Sequence, residues 1–387
     1  MTASTEGAES VYSFIRRTAE RVPEGVRWQT IDYGNQPEYH YNAFNGCGGI
    51  GVFLTEYGRQ TGSAEAVDLA QEANRWCSTV KTEGFERGLL LGRTGAAMSW
   101  IHWSRVTGES LPEYCEQNAD VILREDPGPF TDLMGGAASN GFYLLRLWQA
   151  TDEPRFLDGA RRNGVWLCDQ LVRDKEGCHC LCRPDGEFGD RPFLGAAHGI
   201  SGVAHFLLLL HQATGEVVWA SEARDILNTL ERHAISDRGG LNWVPMLGDT
   251  ELSRCQWSHG APGIGIVFLQ AAQVLSEPRF REIAIKAGEA TYAYGDFRKN
   301  ITQCIGLSGC GELFVELYRD LGDEMWLRRA QEFADLAMPY RDGLPEGDAW
   351  PTDEPGLYSA DFMYGASGLG HYFLRVMEPH SVAMPFM

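Results

Sequence analysis

Apolar residues in this chain gather in dense runs, and each dense run is followed by a more polar stretch with helical spacing. Phe206-Leu207-Leu208-Leu209-Leu210 and Val267-Phe268-Leu269 are the clearest dense runs. Ala64 to Val80, Val217 to Ala234 and Met325 to Ala337 are the stretches that alternate apolar and polar faces. A helix apolar nearly all round belongs in an interior, whereas an amphipathic one covers that interior and turns its other face to water. The pattern predicts helix pairs, one member buried and one outer.

Glycine punctuates the pattern. Gly-x-x-Gly opens the buried helices at Gly46, Gly92, Gly199, Gly260, Gly306 and Gly365, and a seventh copy runs from Gly136 to Ser139. Thirteen positions after the second residue of a copy stands a helix stop: Gly62, Gly108, Asp152, Gly215, Ser276 and Gly322. Glycine at such a stop takes the left-handed conformation that a Cβ resists. Glu-Pro-Arg-Phe opens two of the outer helices, at Glu153 and Glu277, and copies recur 44 to 63 residues apart, which marks internal repetition. The last repeat, Asp361 to Met387, stays apolar where an open solenoid needs a polar cap, so closure onto the first repeat is expected. The reading is therefore all-α: a double-layered (α/α) toroid of about seven inner and seven outer helices, one domain over residues 1–387. A helix around Ser10 to Val22 supplies the first outer element, and residues 175–192 form an insertion with a hairpin at the ring mouth.

Composition narrows the function. A net charge of −20 opposes binding to phosphate backbones, and 44% hydrophobic residues suit a large core. No basic segment leads into an apolar stretch at the N-terminus and no apolar run approaches membrane length, so a cytoplasmic protein is expected, its ten cysteines held as thiols. Converging helix N-termini present N–H groups and partial positive charge at the hub. The residues just ahead of each Gly-x-x-Gly are the ones that reach it, and polar or thiol groups concentrate at His198, Ser258, His259 and Cys304.

At these turns the chain resembles the lanthionine synthetase C (LanC) family. The resemblance rests on Gly195-Ala-Ala-His198-Gly199-Ile-Ser-Gly202, Trp257-Ser258-His259-Gly260-Ala-Pro-Gly263, Cys304-Ile305-Gly306-Leu-Ser-Gly309 and Met363-Tyr364-Gly365-Ala-Ser-Gly368, and it covers nearly the whole chain. It implies a cyclase that adds a cysteine thiol to a dehydroamino acid in a modified precursor peptide, partnered by a dehydratase, kinase or other pathway enzyme. It also implies zinc, held by a Cys of Trp-Cys-x-Gly and by the Cys and His of Cys-His-Gly. Here those positions are Ser258, Cys304 and Ile305, so one ligand of three is retained. Either His259 joins Cys304 as a rebuilt metal pair, or Cys304 is a buried thiol and the cyclase works without zinc. The resemblance assigns proton transfer to His198, enolate stabilisation to Arg254 and, to Asp132, a place near that histidine where it orients or charge-tunes the imidazole, with Trp257, Ser258, His259 and Tyr364 against the substrate.

Other readings stay open. A chain that has lost its ligands can be an inactive member that binds a peptide or a partner enzyme. A sugar-processing toroid needs two flanking acids; the hub positions hold none, and Glu187 and Asp190 lie in the insertion. Cys178-His179-Cys180-Leu181-Cys182 is peculiar to this chain, and in an extended strand its three thiols share one face, open to metal or redox chemistry.

Overall fold

In the computed structural model, which describes residues 2–31, 34–81, 87–186, 189–294 and 300–387, six of the intervals between a hub glycine and its stop are helices of 15 residues. All six stops are left-handed, with φ between 56° and 77°. Fourteen α-helices occur among the described residues: α1 (Ala3–Thr18), α2 (Cys47–Thr61), α3 (Ala64–Thr79), α4 (Arg93–Thr107), α5 (Glu113–Arg124), α6 (Ala137–Thr151), α7 (Pro154–Gln170), α8 (Ile200–Thr214), α9 (Val217–Arg232), α10 (Ala261–Leu275), α11 (Pro278–Ala293), α12 (Leu307–Leu321), α13 (Glu324–Ala337) and α14 (Ala366–Met377). The even-numbered seven follow the glycine turns, and α8 and α10 are buried along almost their whole length. The odd-numbered seven include helices such as α9 and α13 that bury one face only. No described helix is long and apolar enough to cross a membrane.

The chain divides into two units, residues 1–86, 90–118 and 298–387, and residues 87–89 and 119–297. In the first, α14 packs against α1, α2 and α12, so the final inner helix takes the N-terminal helix as its outer partner. Gly7 of α1 lies against the Phe373 ring of α14, too close for any side chain at that position. In the second unit α6, α8 and α10 are successive neighbours, backed by α7, α9 and α11.

The glycine pairs are steric necessities. A Cβ on the first glycine would run into its own turn, as at Gly199 against Gly195, and one on the second would meet the carbonyl of the residue six positions earlier, as at Gly202 against Ala196 and Gly263 against Trp257. With that close approach allowed, neighbouring turns bond through the position two before the glycine. In the first unit Cys304 N–H donates to Met363, Met363 to Phe44 and Phe44 to Leu90, at 3.0, 2.9 and 2.9 Å. In the second, Ala197 donates to Ser258 at 3.4 Å, and Leu133, three residues before its glycine, donates to Ala197 at 3.2 Å. Where serine replaces the second glycine, Ser139 Oγ accepts from Leu89 N–H.

Two expectations change. The first helix runs over Ala3–Thr18, because Thr2 caps it by accepting from Thr5 N–H at 3.3 Å, and residues 20–22 pair with 25–27 as a hairpin. Pro23 keeps Val22 out of helix geometry. The hairpin expected within 175–192 lies instead at residues 172–179, and it is one of a repeated set that also includes 20–27, 235–242 and 342–349, each following an outer helix. In three of the four the next residue is a buried Trp, at Trp28, Trp243 and Trp350; Cys180 holds that place in the fourth. The hairpin sits against α9, where Cys178 N–H donates to Thr229 Oγ1 at 2.7 Å. Glu187 lies outside the described residues.

Candidate active site

Four residues ahead of a hub glycine, a short polar side chain reaches back to cap its own turn. Asn42 Oδ1 accepts from Asn45 N–H at 3.0 Å, Thr302 Oγ1 from Ile305 N–H at 3.3 Å, and Asp361 Oδ1 from the N–H groups of Tyr364 and Gly365 at 2.8 and 3.0 Å. Asp132 does the same with one oxygen, Oδ1 accepting from Gly135 N–H at 3.0 Å. Its other oxygen is directed elsewhere. Oδ2 lies 2.7 Å from Nδ1 of His198, the residue just before Gly199, and accepts from the Cys182 thiol at 3.3 Å.

This pair sets the chemistry of His198. With Nδ1 against a carboxylate, the imidazole carries its proton on that nitrogen and its lone pair on Nε2. Asp132 is buried, while 26% of the His198 side chain is exposed, so the acid is enclosed and the base is reachable. The Cys182 sulfur lies 3.9 Å from the same Nδ1. Cys182 is held there by Thr131, whose N–H and hydroxyl both donate to its carbonyl, at 2.8 and 3.2 Å. Burial and the neighbouring Asp132 charge push the Cys182 thiol well above its ordinary range, so it stays protonated.

His259 occupies the matching position one turn on. Its ring stacks 6.3 Å from that of His198, and Phe193 packs against both rings. Gly195 brings the two turns together, since a Cβ there would strike the Ser258 carbonyl and the His259 backbone. Burial, then the charge of Arg254, then that of His198 lower the His259 pKa to about 3, so it is neutral at physiological pH. Arg254 itself is exposed, and Trp257 and Ser258 are buried at this turn. The second unit thus assembles Asp132, His198 and His259. Cys304 and Tyr364 belong to the first unit: Cys304 is buried, and Tyr364 meets Phe44 edge-on at 5.5 Å and lines a cavity of about 260 Å³ with Asn45, Asp353 and Glu354.

Cys182 is the residue that sequence reasoning left unconnected. The three thiols of its segment do not act as a single group: Cys178 lies by Glu222 and Asp225, Cys180 is buried with its thiol pushed up to about 12, and Cys182 joins Asp132 and His198. The signal available was the repeat itself. Aligned on the hairpin glycine, Cys182 stands where Thr30 and Thr352 stand in other repeats, on the strand that leads back towards the hub.

Comparison with known proteins bears on the family and the fold. A sequence model of the lanthionine synthetase C-like protein family matches residues 37–387. The LanC-like protein GCL1 of Arabidopsis thaliana is 35% identical over 164 residues, 42% of this chain and 35% of that protein. A Danio rerio protein named glutathione S-transferase LANCL1 is 29% identical over 199 residues, 51% of this chain and 46% of its own. The aligned stretches thus span less than half the length of these relatives. Among solved structures, nisin cyclase superposes with a TM-score of 0.69 at 18% identity, covering 97% of this chain and 94% of its own. An α-1,2-mannosidase from Trichoderma reesei gives 0.63 at 12% identity, with 96% and 92% covered. At such identities the likeness shows the fold alone, an all-α (α/α) toroid.

Proposed function

The chain belongs to the lanthionine synthetase C-like family, and from that premise we propose that it catalyses addition of a thiol to the double bond of a dehydroalanine or dehydrobutyrine in a modified peptide, with His198 carrying the proton. The observation that supports this is the 2.7 Å contact between Asp132 Oδ2 and His198 Nδ1. Nε2 takes the proton from the incoming thiol; the sulfur bonds to the β-carbon while the alkene electrons move onto the α-carbon and its carbonyl; the imidazolium returns the proton to the α-carbon. Asp132 stabilises the imidazolium between the two transfers, and nothing is gained or lost in total mass. Arg254 is assigned to the developing enolate oxygen, as a cation that needs no proton exchange.

The family's zinc does not fit the residues that stand at its ligand positions. Ser258 offers a hydroxyl and Ile305 no donor atom, which leaves Cys304 alone of the three, and soft thiolate and imidazole ligands are what zinc selects. Incubating the protein with a dehydrated, cysteine-containing peptide should consume thiols without a change in peptide mass, and His198→Ala should stop this. A parallel reaction with glutathione tests a small-thiol donor, suggested by the name of the Danio rerio relative. Peptide binding with all thiols intact would instead identify a peptide-holding protein, the behaviour that the lost ligands at positions 258 and 305 favour.

A further inference from the structure

Three unlike donor atoms from separate segments meet beside the hub of the second unit: Asp132 Oδ2 from the turn before α6, Cys182 Sγ from the chain after the second-unit hairpin, and His198 Nδ1 from the turn before α8. All three lie within 4.8 Å of one another. We propose that Asp132, Cys182 and His198 form a binding site for a single zinc-class divalent cation, distinct from the positions at which the family's metal ligands stand.

Geometry carries the assignment. With bonds of about 2.3 Å to sulfur and about 2.0–2.2 Å to nitrogen and oxygen, ligand atoms around a tetrahedral ion lie roughly 3.3–3.6 Å apart. The sulfur–oxygen separation of 3.3 Å is at the lower limit of that range, and the sulfur–nitrogen separation of 3.9 Å is slightly above it. The nitrogen–oxygen pair, now hydrogen-bonded at 2.7 Å, opens by about half an ångström as both lone pairs turn to a shared ion.

The supporting contacts are those of a held site. Gly135 N–H fixes the far oxygen of Asp132, and Thr131 fixes the Cys182 carbonyl. Such outer contacts orient metal ligands. Two ligand side chains are buried and His198 is partly exposed, which leaves one approach for a fourth, exchangeable ligand. A thiolate, an imidazole and a carboxylate together favour a borderline-soft dication over magnesium or calcium. The second cluster, Cys178 with Glu222 and Asp225, is different: Arg173 already pairs with both carboxylates.

A metal ion would take the Nδ1 that the proton relay keeps protonated against Asp132, so the site is tested by binding and not by turnover. Full-length protein, stripped of metal, is titrated with Co²⁺ and then with Zn²⁺ against a chromophoric chelator. The expected result is one equivalent per chain, tetrahedral cobalt bands, and a near-ultraviolet thiolate-to-cobalt transition. Cys182→Ser should abolish that transition and weaken Zn²⁺ binding roughly 100-fold or more, with His198→Gln weakening it similarly and Cys304→Ser leaving both unchanged. Thermal unfolding of each variant identifies any loss caused by misfolding; should Cys182→Ser not fold, His198→Gln, at a partly exposed position, decides the matter. Absence of stoichiometric binding overturns the proposal, as does a transition that survives in Cys182→Ser or disappears in Cys304→Ser. A chain that binds zinc here but consumes no thiols would reject the cyclase reading and leave this site intact.

Discussion

Asp132 and Asp361 occupy the same place in two repeats, four residues before the hub glycine, and their side chains begin alike. Each accepts with Oδ1 from the N–H groups of its own turn. They part at Oδ2. Asp361 is fully buried and turns that oxygen to the Ser359 hydroxyl, so all its contacts stay within its own repeat. Asp132 turns the same oxygen out of its repeat, to His198 and Cys182. One turn design therefore yields a carboxylate kept within its own repeat in the first unit and one shared with His198 and Cys182 in the second. The difference lies in what the neighbouring segments bring within reach.

The strongest way to break this comparison is through catalysis. His198→Ala should lower thiol addition by about 10²–10⁴-fold. Asp132→Asn should lower it by roughly 100-fold or more, because the amide keeps the turn cap but no longer favours the base-competent tautomer. Thiol titration over time, with peptide mass as control, measures both. Equal loss in Asp361→Asn would end the distinction, since that variant is expected to turn over as the unaltered protein does.

Stability should show the reverse order. Asp361→Ala leaves one buried and one part-buried N–H group without their acceptor and is expected to cost about 2–4 kcal/mol in urea unfolding. Asp132→Asn should cost less than about 1 kcal/mol, Asn42 being a native example of asparagine in this role.

A pH series sharpens the contrast further. Burial raises the Asp361 carboxyl to about 6, against the opposing hydrogen bonds from Ser359 and the turn N–H groups. A carboxyl raised in the folded state contributes stability that is complete below its ordinary 3.8 and is lost as pH rises through about 6. The unfolding free energy of the unaltered protein should therefore fall relative to Asp361→Asn across that interval, whereas a constant difference would contradict the assigned burial. At the neutral cap no pH dependence is expected, with Asn42→Ala costing about 1 kcal/mol at all pH values between 4 and 8.

Much of the architecture was legible because it repeats. The interval from Gly-x-x-Gly to a left-handed stop is local: close backbone approach at one end and positive φ at the other both exclude most side chains, so composition records them at Gly199, Gly202 and Gly215 alike. The four hairpins with their Gly-x-x-Trp or Gly-x-x-Cys closings were written just as plainly, at Gly25, Gly177, Gly240 and Gly347, but only the second was anticipated, and as an insertion. Strands of three residues are too short for periodicity to mark them. The start of α1 was missed for a similar reason, its cap at Thr2 lying ahead of any apolar repeat.

For the candidate site the division is sharper. His198, His259 and Asp132 were locatable because each sits at a set distance from a repeated glycine, and a repeated turn presents equivalent positions in equivalent ways. That Asp132 Oδ2 meets His198 across 66 residues, and that Cys182 joins them, follows from the packing of one turn on the next and from the path of the chain after the second-unit hairpin. Local spacing encodes φ, caps and helix length, since these depend on near neighbours. Which of several chemically able side chains share one oxygen depends on contacts distant in sequence, and only the folded chain decides those.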